Sequence, residues 1–143
     1  MINTINEGLA LPILTTLLLT LLVWVYLFVQ RIAYSKANNI DIEEFKTPGD
    51  AAALIPGPKS SASNNFQNLL EMPVVFYVIC FYLTIFGGVD DLHVTCAWVF
   101  VTFRALHSLI HCTVNRVLLR FISYLLSSIA VWIMVVRAIL AAF

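Results

Sequence analysis

Four long apolar stretches, at residues 9–33, 66–86, 92–113 and 118–143, take up most of this 143-residue chain. Each has about 20 residues or more, the length an α-helix needs to cross a hydrocarbon core of about 30 Å. In lipid every backbone N–H and C=O must be satisfied within the protein, and stretches of this length meet that demand as helices. Apolar residues form 61% of the sequence and charged residues 11%, an excess that a chain this short cannot hide in a soluble core. The expected fold is all-α: an integral membrane four-helix bundle, with residues 1–143 forming a single membrane domain. Formal net charge is zero, so there is no basic footprint for nucleic acid.

The N-terminus lacks the Lys/Arg cluster of a secretory signal, and its apolar run exceeds an h-region, so it reads as a retained first helix. Pro12 falls in the first turn of that helix, where a missing N–H costs little. Pro73 lies inside the second stretch and predicts a kink there. Cys80, Cys96 and Cys112 are scattered singly, without CxxC or Cys/His spacing of zinc type, and read as small buried hydrophobes.

The connections are unequal. Residues 34–65 read as a polar loop, with Pro48-Gly49, Pro56-Gly57-Pro58 and a Ser/Asn run supplying turn chemistry. Gly87-Gly88-Val89-Asp90-Asp91 reads as a tight hairpin, and Asn115-Arg116 as the centre of the last turn. The first and third connections share a side and carry Lys36, Lys46, Lys59 and Arg116, with Arg31 and Arg120 at their edges. The second has Asp90 and Asp91 and no Lys or Arg. The positive-inside rule therefore expects loops one and three in the cytoplasm and both termini outside.

Ionisable side chains inside membrane helices are costly and mark function or a structural pairing. Asn68 and Glu71 are three apart on the second stretch and would share a helix face. Arg104, His107 and His111 follow an i, i+3, i+7 pattern on the third, with Ser108 alongside. Arg120 and Tyr124 are four apart on the fourth, and Ser127 or Ser128 extends that stripe. At a rise of 1.5 Å per residue, Glu71 sits about 8 Å and Arg104 about 13 Å from the cytoplasmic helix ends. All three groups then fall in the cytoplasmic half, which implies a shared site. The outer half reads as having no comparable cluster, with Arg137 alone and His93 near the hairpin.

Each group also has a plain structural reading. Asn68 and Glu71 serve equally as interhelical hydrogen-bonding residues, Arg104 with Glu71 as a structural ion pair, and Arg120 as an anchor that snorkels to headgroups. His107 and His111 have the i, i+4 spacing of metal ligands, but nothing completes a tetrahedral set, so no metal site is expected.

The run Ser-Asn-Asn-Phe-Gln-Asn-Leu-Leu-Glu-Met-Pro at 63–73 resembles the second-helix signature of the MAPEG family, membrane-associated proteins in eicosanoid and glutathione metabolism. The order Arg104, His107, Asn115, Arg120, Tyr124 resembles that family's third and fourth helices, in the spacing of the prostaglandin E synthase type. The resemblance implies a homotrimer that binds glutathione as co-substrate between subunits, through Asn68, Glu71, Arg104 and His107. It implies that Arg120 faces the sulfur, with Tyr124 able to donate a hydrogen bond to it, and that a small lipophilic electrophile enters from the lipid bilayer. The forms of the motifs are closest to bacterial relatives, which implies an inner-membrane location. The chain departs from the mammalian enzymes at Asn64 and Gln67, where they carry Arg. Two readings follow: a membrane glutathione transferase or peroxidase-like enzyme acting on lipophilic electrophiles, or a non-catalytic lipid-binding or scaffold protein on the same fold.

Overall fold

The computed structural model describes residues 6–143 and is entirely helical over that range, apart from turns and connections. We number the helices α1 (Ala10–Asn38), α2 (Pro48–Leu54), α3 (Ser61–Leu69), α4 (Met72–Phe86), α5 (Asp91–Cys112) and α6 (Val117–Ala142). Short 3-10 turns occupy Asn6–Leu9, Ile42–Glu44 and Gly57–Lys59. Four segments are long and apolar enough to cross a membrane: α1, α3 with α4 taken together, α5 and α6.

The first helix runs to Asn38 rather than ending near residue 33. It stops where Asn39 turns left-handed (φ 53°) and donates its N–H to the Ser35 carbonyl, a conformation Asn tolerates better than most residues. The connection that follows is more structured than a polar loop. Thr47 and Asp50 form a reciprocal capping box, with the Asp50 N–H donating to Thr47 Oγ1 at 3.2 Å and the Thr47 N–H to Asp50 Oδ2 at 3.0 Å. Pro48, in the first turn of α2, needs no intrahelical partner there.

The second membrane segment departs from regular helix near Pro73, as the sequence predicts, but as a full break rather than a kink. It is broken at Leu70–Glu71, ahead of Pro73, and Pro73 lies in the first turn of the new helix α4. A proline in a helix interior removes one N–H and clashes with the carbonyl four residues earlier. Here the chain leaves helical geometry before that clash arises, and Asn68 and Glu71 consequently do not share one continuous helix.

At the opposite end Gly87 adopts φ 75°, and the N–H groups of Gly87 and Gly88 both reach the Leu83 carbonyl at 3.1 Å. Asp90 then caps α5: its Oδ1 accepts the His93 N–H at 2.9 Å and lies 2.8 Å from His93 Nδ1. The other carboxylate oxygen accepts from Arg137 Nη2 on α6. Arg137 is therefore not alone, as the sequence reading had it, but paired across the bundle with the cap of α5.

The core lies between α4, α5 and α6, where Phe76 stacks on Phe100 with ring centroids 4.3 Å apart, surrounded by Leu83, Ala97, Val131 and Met134. The longest interface joins α5 and α6. Small residues of α6 such as Ser123, Ser127, Ser128 and Ala130 are buried, and small residues let membrane helices approach closely. Each of those serine hydroxyls bonds a carbonyl of its own helix, Ser123 to Leu119 at 2.9 Å and Ser127 and Ser128 to Tyr124 at 2.7 and 2.9 Å. They thus enter the apolar interior without an unpaired donor.

The His93 N–H bond, with Arg137 and His93 adding to it, holds the Asp90 carboxyl below its usual range. A depressed carboxylate stabilises the fold above the unfolded value of about 3.9, and that contribution disappears as pH falls through the lower folded value. With the Asp90 side chain 45% exposed, solvent screening keeps the gain small. Asp90→Asn should lower the thermal midpoint in detergent at neutral pH, and the gap from wild type should close on acidification below about pH 3.9. A gap that persists undiminished into strong acid would show that the carboxylate charge is not what stabilises this end.

Candidate functional site

Arg104 sits midway along α5 and is fully buried. Its Nη2 donates to the backbone carbonyl of Asn68. In a continuous helix that carbonyl would accept the N–H four residues on; the break at Leu70–Glu71 leaves it free for the guanidinium. The guanidinium carbon also lies 5.1 Å from the centroid of the Tyr124 ring on α6, within range of a cation–π contact. Nε and Nη1 of Arg104 have no protein partner. An unpaired charged donor in a buried site costs more than an unpaired neutral one.

One helical turn along, His107 is buried and its Nδ1 lies 2.9 Å from the Arg120 carbonyl. A carbonyl only accepts, so Nδ1 carries the proton, and in the neutral ring Nε2 is left as an acceptor. That Nε2 is buried without a partner, as is Nδ1 of His111. The rings of His107 and His111 meet edge to face with centroids 5.5 Å apart, and His107 lies 5.9 Å from Tyr124. Arg104, His107, His111 and Tyr124 thus form one contiguous polar patch between α5 and α6.

Arg120 is half-buried at the start of α6, and its Nη1 donates to Asn115 Oδ1 at 2.8 Å. Asn115 has a left-handed backbone (φ 47°), and its N–H closes the end of α5 on the Ile110 carbonyl at 2.7 Å. One residue therefore shapes the turn and aims the guanidinium. Asn68 enters the site through its carbonyl, its side chain being half-buried. Glu71 is exposed in the break between α3 and α4. Among the described residues no hydrogen bond or ion pair joins it to Arg104, so the backbone carbonyl of Asn68 takes the place of the carboxylate the sequence suggested.

The sequence reading passed over Asn65. It is fully buried on α3, accepts from Ser108 Oγ at 3.3 Å through Oδ1, and directs Nδ2 at Cys112 Sγ, 3.4 Å away. These contacts fasten α3 to α5 beside the point where Arg104 binds. The signal was present: Ala62, Asn65 and Leu69 recur at three- and four-residue spacing, and all three are buried.

A model of the MAPEG family matches residues 9–140, and the chain belongs to that family. It is an integral membrane protein, and its helices imply a lipid bilayer as their surroundings. No curated protein matches it to a significant degree.

The Asn65 network yields a stability prediction. Asn65→Leu strands the Ser108 hydroxyl and should cost about 1–3 kcal/mol. Adding Ser108→Ala to Asn65→Leu should cost less than the two single losses combined, as contacting partners do. Unfolding in a graded denaturing detergent measures the cycle, and strict additivity would mean that the two side chains do not interact.

Proposed function

We propose that this protein is a membrane-bound glutathione transferase or peroxidase-like enzyme that conjugates or reduces lipophilic electrophiles, assembled as a homotrimer with its loop-bearing face in the cytoplasm. The observation that carries the reading is Arg104, a fully buried guanidinium holding one carbonyl and keeping Nε and Nη1 unpartnered. The free Nε–H and Nη1–H lie on different edges of the planar guanidinium, and each can donate a charge-assisted hydrogen bond to an anionic oxygen such as that of a carboxylate. The unpaired acceptor on His107 adds a place for a donor, as on the amide or ammonium groups of a peptide.

Glutathione, when bound, supplies a thiol whose ordinary pKa is about 8.5 and which attacks only as thiolate. The residue proposed to favour that anion is Arg120, whose guanidinium Asn115 orients at the mouth of α6. Each pKa unit of depression corresponds to about 1.4 kcal/mol of preference for the charged form. Tyr124, whose ring lies beside Arg104 and His107, is the residue proposed to donate a hydrogen bond to the same sulfur. Glu71, exposed at the helix break, is free to pair with an ammonium group. The missing positive charge at Asn64 and Gln67 has a counterpart nearby: both residues line a cleft of about 160 Å³ whose other walls include Arg31 and Lys59. That cleft supports binding of a second carboxylate in spite of the departure from the mammalian pattern.

Two measurements test this. Mass determination in mild detergent should return a trimer; a natively folded monomer would remove the intersubunit site. Arg120→Ala should cut turnover of a model electrophile by about 10²-fold while weakening glutathione binding far less. Arg120→Lys should recover only part, because a point charge lacks the planar fork. Conjugation by Arg120→Ala at the wild-type rate would sink the assignment. Failure of the wild type to bind any thiol at millimolar concentration would instead favour the lipid-binding scaffold on this fold.

A further inference from the structure

At the end of the bundle remote from Arg104, the turn between α4 and α5 borders a cleft of about 270 Å³. Asp90, His93 and Arg137 bring charge to its walls, and Tyr82, Phe86 and Ala138 bring apolar surface. Tyr82, Ala138 and Ala142 also line a second, wholly apolar groove of about 380 Å³, which runs between α4 and α6 past Val75, Val78 and Trp132. The two spaces thus adjoin across Tyr82, Ala138 and Ala142, a charged cleft beside an apolar trough. Their sizes are on the scale of small-molecule sites, about 300–1,000 Å³.

The donors and acceptors at the mouth specify the chemistry further. A carboxylate offers about four lone-pair positions, and Asp90 uses two, on the His93 N–H and Arg137, while His93 Nδ1 accepts the Asp90 backbone N–H. Acceptor positions therefore remain on Asp90. Arg137 has five N–H donors, and among the described residues its only bond is the one to Asp90. A cation with spare donors thus stands beside an anion with spare acceptor positions, and an apolar groove adjoins both. A zwitterion whose anionic part is a phosphate and whose cationic part still carries N–H groups satisfies both, and acyl chains satisfy the groove.

We infer that the α4–α6 groove and its charged mouth form a site for one phospholipid with a phosphoethanolamine headgroup, taken from the leaflet on the side of the Gly87–Asp90 turn. Arg137 holds the phosphate, the ammonium donates to Asp90, and an acyl chain lies along Val75, Val78 and Trp132. A phosphocholine headgroup carries the same net charge without N–H donors and leaves the remaining Asp90 positions unfilled. The site is separate from the thiol site proposed above and stands or falls independently of it.

Trp132 lies in the groove, so bromine carried on acyl chains quenches it on contact. The full-length protein with Trp24→Phe and Trp98→Phe, leaving Trp132 as its sole tryptophan, is reconstituted into phosphatidylcholine bilayers. A small fraction of acyl-brominated phosphatidylethanolamine or acyl-brominated phosphatidylcholine is then added. The ethanolamine lipid should quench Trp132 with an apparent association constant about threefold or more above that of the choline lipid, roughly 0.65 kcal/mol or more. In Arg137→Gln and in Asp90→Asn that ratio should fall to about one. Equal quenching by the two lipids in the wild type overturns the headgroup assignment, and an unchanged ratio in Asp90→Asn overturns it even if Arg137→Gln fails to fold. Shielding of Trp132 from both lipids would show that a second copy of the chain covers the groove, and would overturn the site itself.

Discussion

The organisation of this bundle follows from one buried charge. A guanidinium within a membrane helix must find acceptors inside the protein, and Arg104 finds its acceptor in a backbone carbonyl that an unbroken helix would not release. The break at Leu70–Glu71 is thus both a departure from regular structure and the condition for burying Arg104. Around this contact Asn65 ties α3 to α5, Tyr124 covers the cation from α6, and His107 joins α5 to the start of α6. Three membrane segments meet at one depth because each contributes a group that the others need.

The two ends of the bundle handle charge differently. Near the Gly87–Asp90 turn the cation and anion satisfy each other in part, at the half-exposed pair of Arg137 and Asp90. Around Arg104 the polar atoms are buried, and several remain without a protein partner. A folded chain tolerates exposed charge readily, whereas buried unpaired donors are costly.

Much of the fold was legible from hydropathy, since each apolar stretch is long enough to span and lipid permits few alternatives to a helix. The clustering of Arg104, His107 and His111 was legible as well, because 3.6-residue periodicity alone puts them on one face. What escaped was whatever depends on the backbone leaving that periodicity. Pro73 predicts a kink, but not that the helix breaks fully at Leu70–Glu71; the break exposes Glu71 and gives Arg104 a carbonyl, a group every residue carries and no side-chain pattern reveals. Asn65 was overshadowed by the motif around Asn68, and Arg137 was read as isolated because Asp90 lies 47 positions away in the chain. The capping of α5 by Asp90 is local, but its second bond is a tertiary fact.

The interruption between α3 and α4 also separates two helical phases. In an unbroken helix, inserting or deleting one residue rotates everything beyond it by about 100°, since 3.6 residues complete a turn. With non-helical geometry at Glu71, such a rotation in α3 need not propagate into α4. The face that fastens Asn65 to α5 and the face that stacks Phe76 on Phe100 are set by separate stretches of sequence. One membrane crossing thereby carries two registers, and the polar half can change without disturbing the packing of the apolar half.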